Sequence, residues 1–504
     1  MNKIYAVALN LHDHNTYDGV YHNQRERHTR FKHNLPYKAE AYAHQSDVLN
    51  VSDYRLNDEF TENYFKKPDD AILAFTYTFG GVRKSKQELL NTILKGHDKI
   101  FDYDPKKLWD HYYEDGIYFI DHHQSHAVYA LNNSGFKQSD ILAIDGIGSK
   151  FRCVFFDKDE NLIDLSDKLP IGWLWNHMSG LTGFGTLGAS KLMGKVGYGK
   201  FSRYYYTCFE VILDGPITEK KQEHFKMMDI ETHGIDDLAY TLQRFTLDKI
   251  KEHVYPLKTC DNLCIAGGVA YNGYMNEEFT KHYKNVFIPP AVGDEGQAIG
   301  VYQHADYLMN DNIHKSETFA GKEYDYTGDE KLTSYKPIAQ AIADGKIIGW
   351  FQGKSESGNR ALGNRSILAD PRRKDIKNII NDTIKDREDF RPFAPAVLED
   401  HYKKYFDTNS PSPYMSRICQ VKTDKVPGIT HIDNTARIQT VNKEQNNKLY
   451  ELVREFDTIT GIPMLLNTSF NKHEPIVETP SHALRTFNKS ALDLLVINDW
   501  IIRK

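Results

Sequence analysis

The sequence predicts an α/β protein built from two large domains. Short apolar runs recur, each ending in a turn that bears Gly or Asp: Ile4 to Leu9 before Asn10-Leu11-His12-Asp13, Leu142 to Ile144 before Asp145-Gly146, and Leu263 to Ala266 before Gly267-Gly268. Runs of this length bounded by turn residues read as buried strands. Between Ile230 and His253 the pattern changes to a helical one, with Leu238, Leu242, Phe245, Leu247 and Ile250 on a broad face. The 504 residues also exceed what one hydrophobic core ordinarily serves.

Taken in order, Ile4 to Leu9 is the first strand. Leu142 to Ile144 is a second, with Arg152 to Phe156 as its hairpin partner, and Leu263 to Ala266 is a third. Strand ends of this kind are where α/β sheets place ligand contacts. The stretch from Ile313 to Ser334 is polar and poor in aliphatics, which reads as a linker between a domain at 1–325 and another at 335–504. Beyond it, Ala339 to Ala343 reads as helix and Ile347 to Phe351 as strand. No fixed-period repeat stands out.

Composition excludes several classes. Lys and Arg number 63 against 69 Asp and Glu, a net charge of −6, so no surplus of positive charge advertises nucleic-acid binding. The five cysteines include no C-x-x-C pair, which fits a reducing compartment rather than a disulfide framework. The N-terminal apolar run is too short for a signal peptide, and no run approaches the ~20 apolar residues of a membrane span. A cytoplasmic protein is expected.

Three constellations carry chemistry. In Asp121-His122-His123-Gln124-Ser125-His126, the first and last histidines are four apart, which on a helix puts both imidazoles on one face, able to share a metal. His123 stands where the metalloprotease pattern needs Glu. A carboxylate would suit as third ligand for divalent iron, manganese or zinc, and Asp294 in Gly293-Asp294-Glu295-Gly296 is the candidate.

The second constellation is a set of glycine turns: Asp145-Gly146-Ile147-Gly148, Gly267-Gly268 with Asn272 nearby, and Gly293 to Gly296. Glycine lets backbone N–H groups approach a phosphate. Asp-Gly-x-Gly after a strand also resembles the phosphate hairpins of the superfold shared by sugar kinases and actin. The third is a cluster of cations interleaved with glycine and apolar residues: Lys354, Arg360, Arg365, Lys385, Arg387 and Arg391. Guanidinium groups set among buried apolar residues need an anionic partner, either Glu356, Glu388 and Asp389 or a bound phosphate.

These residues resemble the O-carbamoyltransferases of nodulation-factor, cephamycin and tobramycin tailoring. The likeness runs from His12-Asp13 through Asp121 to His126, Asp145-Gly146, Lys191 to Gly194, Gly267 to Asn272 and Gly293 to Gly296. It continues in R-A-L-G-N-R-S-I-L-A-D-P-R (residues 360–372), Lys385 to Pro395 and N-T-S-F-N (residues 467–471). Asn359 stands where the family usually has proline.

The resemblance implies an actin-like, ATPase-type N-terminal domain and a YrdC-like α/β C-terminal domain. The second would make carbamoyl-adenylate from carbamoyl phosphate and ATP with its Mg²⁺. The first, holding a metal ion, iron in the family, would pass the carbamoyl group to a hydroxyl on a small-molecule acceptor.

By motif position, His122, His126 and Asp294 would be metal ligands. Asp145, Gly146, Lys191, Gly267, Gly268 and Asn272 would line a nucleotide site. Lys354, Arg360, Arg365, Ser366, Lys385, Arg387, Arg391, Asn467 and Ser469 would line the carbamoyl-phosphate site, with Arg365 and Lys385 catalytic. His12 or His14 is the expected base. The rival readings are a tRNA threonylcarbamoyladenosine-type transferase, against which the net charge speaks, and a non-catalytic nucleotide-binding module.

Overall fold

A computed structural model of the chain describes residues 3–9, 14–19, 22–24, 71–77, 100, 102–146, 148, 150–215 and 228–504. His12, expected as a base, lies outside the described residues. Contacts divide the chain into two units, 1–271 with 281–317 and 272–280 with 318–504. The second unit thus includes a short helix taken from within the first unit's sequence, which the apolar pattern alone did not separate.

The first unit contains two sheets. One comprises β1 (Lys3–Leu9), β2 (His14–Tyr17), β3 (His22–Gln24), β4 (Ala71–Tyr77), β5 (Tyr112–Glu114) and β6 (Ile117–Phe119), in the order β3-β2-β1-β4-β6-β5. The other comprises β7 (Asp140–Ile144), β8 (Cys153–Phe156), β9 (Leu162–Asp164), β10 (Asn262–Ala266) and β11 (Asn285–Phe287), in the order β11-β10-β7-β8-β9.

Apart from the edge strand β5, the two sheets have one topology. Three strands form an antiparallel meander, and the first of them is followed laterally by two parallel strands. Each copy ends in a helix, α1 (His122–Ser134) after β6 and α6 (Gln297–Asn310) after β11. A duplicated unit of this kind is the actin-like architecture that the resemblance implied. The duplication escapes a search for repeats because the third-to-fourth-strand connection runs over 25–70 in one copy and 165–261 in the other.

The two terminal helices exchange partners. Helix α1 packs on β7 and β10 of the second sheet, α6 packs on β1 and β4 of the first, and the helices pack on each other. They cross closely at Gly300, where a Cβ would fall 1.9 Å from the carbonyl oxygen of Ser125. Any other residue there would push α6 off α1.

Among the further helices are α2 (Ile171–Leu181), α3 (Ala189–Gly194), α4 (Ile235–His253) and α5 (Gly273–Phe279). The helical stretch expected from Ile230 breaks at Gly234, whose φ of 78° is left-handed, so a short turn precedes α4. Leu238, Leu242, Phe245 and Ile250 are buried on its core face as expected, while Leu247 is half-buried.

The second unit is built on one ten-stranded mixed sheet. In spatial order its strands are Glu330–Lys331, Trp500–Arg503, Leu494–Ile497, Ile348–Phe351, Arg365–Ala369, Met464–Ser469, Ala394–Leu398, Thr435–Val441, Arg417–Val421 and Phe406–Asp407. The strands Ile348–Phe351, Arg365–Ala369, Ala394–Leu398 and Leu494–Ile497 are buried along their whole length, as in sheets covered on both faces. Trp350, Leu368, Leu465, Phe456 and Phe487 anchor its core.

Candidate functional site

Helix α1 owes its start to Asp121, whose carboxylate accepts the N–H of His123 at 2.8 Å, while Gln124 accepts the N–H of Asp121 at 2.9 Å. This reciprocal capping box fixes the helix entry. Buried Gln124 also donates to the carbonyls of Lys107, Leu108 and Asp110, which ties the helix to the preceding chain. The cap therefore places His122 at the first helical position and His126 one turn on, both fully buried.

Opposite them stand two carboxylates. Asp294 opens the turn before α6, and Asp145 follows the last residue of β7. His126 Nε2 lies 3.4 Å from both Asp145 Oδ2 and Asp294 Oδ1, and His122 Nε2 lies 3.9 and 3.5 Å from the same two atoms. One donor atom from each residue lies within 4.8 Å of every other.

These separations exceed ordinary N–H···O hydrogen-bond lengths. They approximate the edge of a tetrahedron with ligands at 2.0–2.2 Å from a common centre, about 3.3–3.6 Å. Two imidazoles and two carboxylates also balance a divalent ion when the imidazoles are neutral. The donor set therefore fits a divalent metal.

The electrostatics agree. Burial alone would push His126 down, but Asp145 and Asp294 outweigh it and lift the imidazole to about 9. Burial dominates at His122 and holds it below its ordinary value despite Asp294. Burial opposes charge on Asp145 too, yet the two histidines hold its carboxyl well below the usual range. A field that attracts a proton to this point attracts a cation.

Asp145, expected in a nucleotide site, stands beside His122, His126 and Asp294 in a group whose donor atoms could hold a metal ion. Its Oδ2 also accepts the N–H of Gly268 at 2.7 Å, and its Oδ1 that of Gly146 at 2.5 Å. The Gly267-Gly268 turn rides directly on the end of β7. Gly267 has φ 95°, and a Cβ there would meet the carbonyl oxygen of Ile144 at 2.2 Å. Its N–H donates to the carbonyl of Val292 at 2.8 Å.

The glycine turns thus bring Asp145, Gly146, Gly267 and Gly268 together, but these N–H groups hold the carboxylate and the backbone. Lys191 is carried, half-buried, on α3. Asn272 accepts the N–H of Met275 at 3.0 Å and caps α5 in the second unit. His14 opens β2, opposite Leu9. His123 is buried but turned away, its ring packed against Gly148.

In the second unit the sheet register sorts the expected anion ligands. Ser366 lies opposite Ser469, and Leu368 opposite Asn467, so Ser366, Asn467 and Ser469 share one face. Arg365, one residue along, faces the other way. It is fully buried, stacks 3.6 Å over its cross-strand neighbour Phe351, and donates to the carbonyls of Gln352, Gly353 and Asn364.

Arg365, expected to contact phosphate, braces the 352–364 loop through these carbonyl bonds. Buried Glu356 supports the same loop by accepting the N–H of Leu362 at 2.6 Å.

Lys385 does reach the Ser469 face. Its ammonium donates to Ser469 Oγ at 3.2 Å and Asn471 Oδ1 at 2.7 Å. Ser366 Oγ and Asn467 Oδ1 are buried there without a hydrogen-bond partner. Arg391 pairs with Glu388 at 3.3 Å. Lys354 and Arg360 are half-buried on the same loop as Gln352.

Arg387 donates from Nε to Asn381 at 2.9 Å and lies 4.8 Å over Phe393, but its Nη2 is shut off from solvent without a hydrogen bond. Burial drives this guanidinium down to about 9, with Arg391 adding to the effect and Glu388 opposing it. Among the described residues no carboxylate forms an ion pair with this partly buried cation.

Sequence reasoning did not place Asp145 with the two histidines, nor Gln297 beside His126. A strand ending in Asp is a signal that could have found the first.

Comparison with known proteins bears on both units. The family model described as "Carbamoyltransferase N-terminus" matches residues 21–302, and "Carbamoyltransferase C-terminus" matches residues 339–504. The chain is 32% identical to "Uncharacterized protein sll1178" of Synechocystis sp., over 77% of this chain and 76% of that protein. It is 33% identical to "Nodulation protein NolO" of Bradyrhizobium diazoefficiens, over 76% of this chain and 79% of that one.

Among solved structures, the activator of the 2-hydroxyisocaproyl-CoA dehydratase from Clostridium difficile matches with a TM-score of 0.35 at 9% identity, over 61% of this chain and 97% of that one. Among the described residues no helix is long and apolar enough to cross a membrane. With a family model over each half and relatives matched along most of their length, the chain belongs to the carbamoyltransferase family of enzymes.

Proposed function

We propose that this carbamoyltransferase joins carbamoyl phosphate to ATP as carbamoyl-adenylate in its second unit and delivers the carbamoyl group to an acceptor hydroxyl in its first. The observation that carries this reading is the enclosed guanidinium of Arg387, whose Nη2 has no hydrogen-bond partner. It sits in the same segment as Lys385, whose ammonium bonds Ser469 and Asn471. A dianionic phosphoryl group is the ligand such cations suit.

In the second unit, read as YrdC-like, water cleaves carbamoyl phosphate to carbamate and inorganic phosphate. Lys385, Arg387 and Arg391 stabilise the departing phosphate charge. A carbamate oxygen attacks the α-phosphorus of Mg²⁺-bound ATP, and the bond to pyrophosphate breaks. Enclosure protects the resulting mixed anhydride from water.

In the first unit the acceptor hydroxyl attacks the carbamoyl carbon, the bond to AMP breaks, and the hydroxyl proton passes to a base. His12 or His14 is proposed for that role, and full turnover in a variant lacking both imidazoles would remove the assignment. A divalent metal, iron by family resemblance, held by His122, His126, Asp145 and Asp294, would supply a Lewis acid here. The acceptor is proposed to be a small hydroxyl-bearing molecule.

The test is pyrophosphate release from ATP with and without carbamoyl phosphate, acceptor omitted, with Arg387→Ala alongside. Release should require carbamoyl phosphate and fall on the order of 10²-fold in the variant. Release indifferent to carbamoyl phosphate, or none while both ligands bind, overturns the proposal.

A further inference from the structure

Gln297 is the first residue of α6, three residues after Asp294, and is fully buried. Its side-chain nitrogen lies 3.0 Å from His126 Nε2 and 3.4 Å from the carbonyl oxygen of His122. Its other end, Oε1, is shut off from solvent without a hydrogen-bond partner.

An amide oxygen buried without a partner is destabilising, because it gives up its bond to water and gains none. The side chain also contacts the very imidazole nitrogen that faces Asp145 and Asp294. That lone pair cannot accept an amide N–H and coordinate a cation at once. A half-turn of the amide about its terminal bond exchanges its two ends, giving up the bond to the carbonyl of His122 and moving no other residue.

The oxygen would then occupy the position 3.0 Å from His126 Nε2, the separation of two neighbouring ligands at right angles with bonds of about 2.1 Å. The carboxamide is neutral, so it adds a donor without disturbing the balance of two carboxylates against a divalent ion.

We propose that Gln297 is a fifth protein donor of the metal centre, its side-chain oxygen joining His122, His126, Asp145 and Asp294. The inference rests on the metal reading of the first unit. It assigns the site a hard oxygen donor and a coordination number above four, which favours iron(II), manganese(II) or cobalt(II) over tetrahedral zinc.

The test uses the full chain and cobalt(II) as probe, read by the visible ligand-field bands and by equilibrium dialysis. Gln297→Leu keeps the volume and removes the donor. It should intensify the bands several-fold as the centre becomes four-coordinate, and weaken cobalt binding about tenfold. Gln297→Glu, which keeps an oxygen and adds charge, should retain the weak bands and bind cobalt more tightly.

His126→Ala separates the two readings. Loss of cobalt in His126→Ala with unchanged bands and affinity in Gln297→Leu overturns the role of Gln297 alone. A wild-type chain that binds no cobalt overturns the metal centre with it. If Gln297→Leu does not fold, bands and affinity in Gln297→Glu identical to wild type overturn the proposal.

Discussion

Arg365→Ala removes a guanidinium that is fully buried, stacked 3.6 Å over Phe351, and bonded at 2.6–3.0 Å to the carbonyls of Gln352, Gly353 and Asn364. Each carbonyl left without its donor costs roughly 1 kcal/mol or more, and the lost stacking roughly another. Truncating a buried long side chain also leaves a cavity, although water entering it restores part of the hydrogen bonding.

The sum is about 3–5 kcal/mol, at the upper end for one substitution. For a domain of this size it lowers the melting temperature by roughly 10 °C. Differential scanning calorimetry of the full chain measures it, with Arg365→Met as a variant that fills the cavity and recovers about a third of the loss. A transition within about 1 °C of wild type, together with selective loss of carbamoyl phosphate binding, would refute the argument and return Arg365 to the ligand site.

Arg387→Met should behave oppositely. It removes a partly buried charge with no ion-pair partner among the described residues, so the ligand-free protein should be as stable or up to ~1 kcal/mol more stable, while stabilisation by added inorganic phosphate in a thermal-shift assay disappears. Gly267→Ala adds a Cβ at 2.2 Å from the carbonyl oxygen of Ile144 at φ 95°; it should cost at least about 3 kcal/mol and abolish cobalt binding by displacing Asp145, read by melting and dialysis together.

Acid should weaken the first unit through His304. Burial, with His111 adding to it, holds this imidazole at about 3, while its ring bonds Tyr118 and the carbonyl of Leu108. The unfolded chain takes up a proton below about 6.5 that the folded one refuses until about 3, so stability is lost as pH falls through that window, by up to ~1.4 kcal/mol per pH unit. Melting temperatures between pH 4 and 6.5 should show a shallower acid slope in His304→Gln, and an equal slope would exclude His304 as the cause.

Local features were legible without a structure. The strands at Lys3–Leu9, Asp140–Ile144 and Asn262–Ala266 stand where apolar runs meet Gly or Asp turns. The capped helix carrying His122 and His126 follows from Asp121 and Gln124, and the core face of α4 from its apolar spacing. Such features are encoded within a turn or two of chain, because dihedral preference, capping and apolar period act over neighbouring residues.

What tertiary structure decided is which polar groups meet. Asp145 and Gln297 reach the histidines only because β7 lies beneath α1 and because Gly300 lets α6 cross it closely. Arg365 and Ser366 point to opposite faces by the pleat of their own strand, and pairing with a strand about a hundred residues away puts Asn467 and Ser469 on the Ser366 face; a one-residue slip would move those two to the face of Arg365. The sequence by itself thus determined the elements, the enzyme family and the kinds of side chain available. Strand register and helix crossing, set by burial of the whole core, decided which of those side chains gather beside His122 and His126, which share a face with Ser366 and Ser469, and which brace the chain.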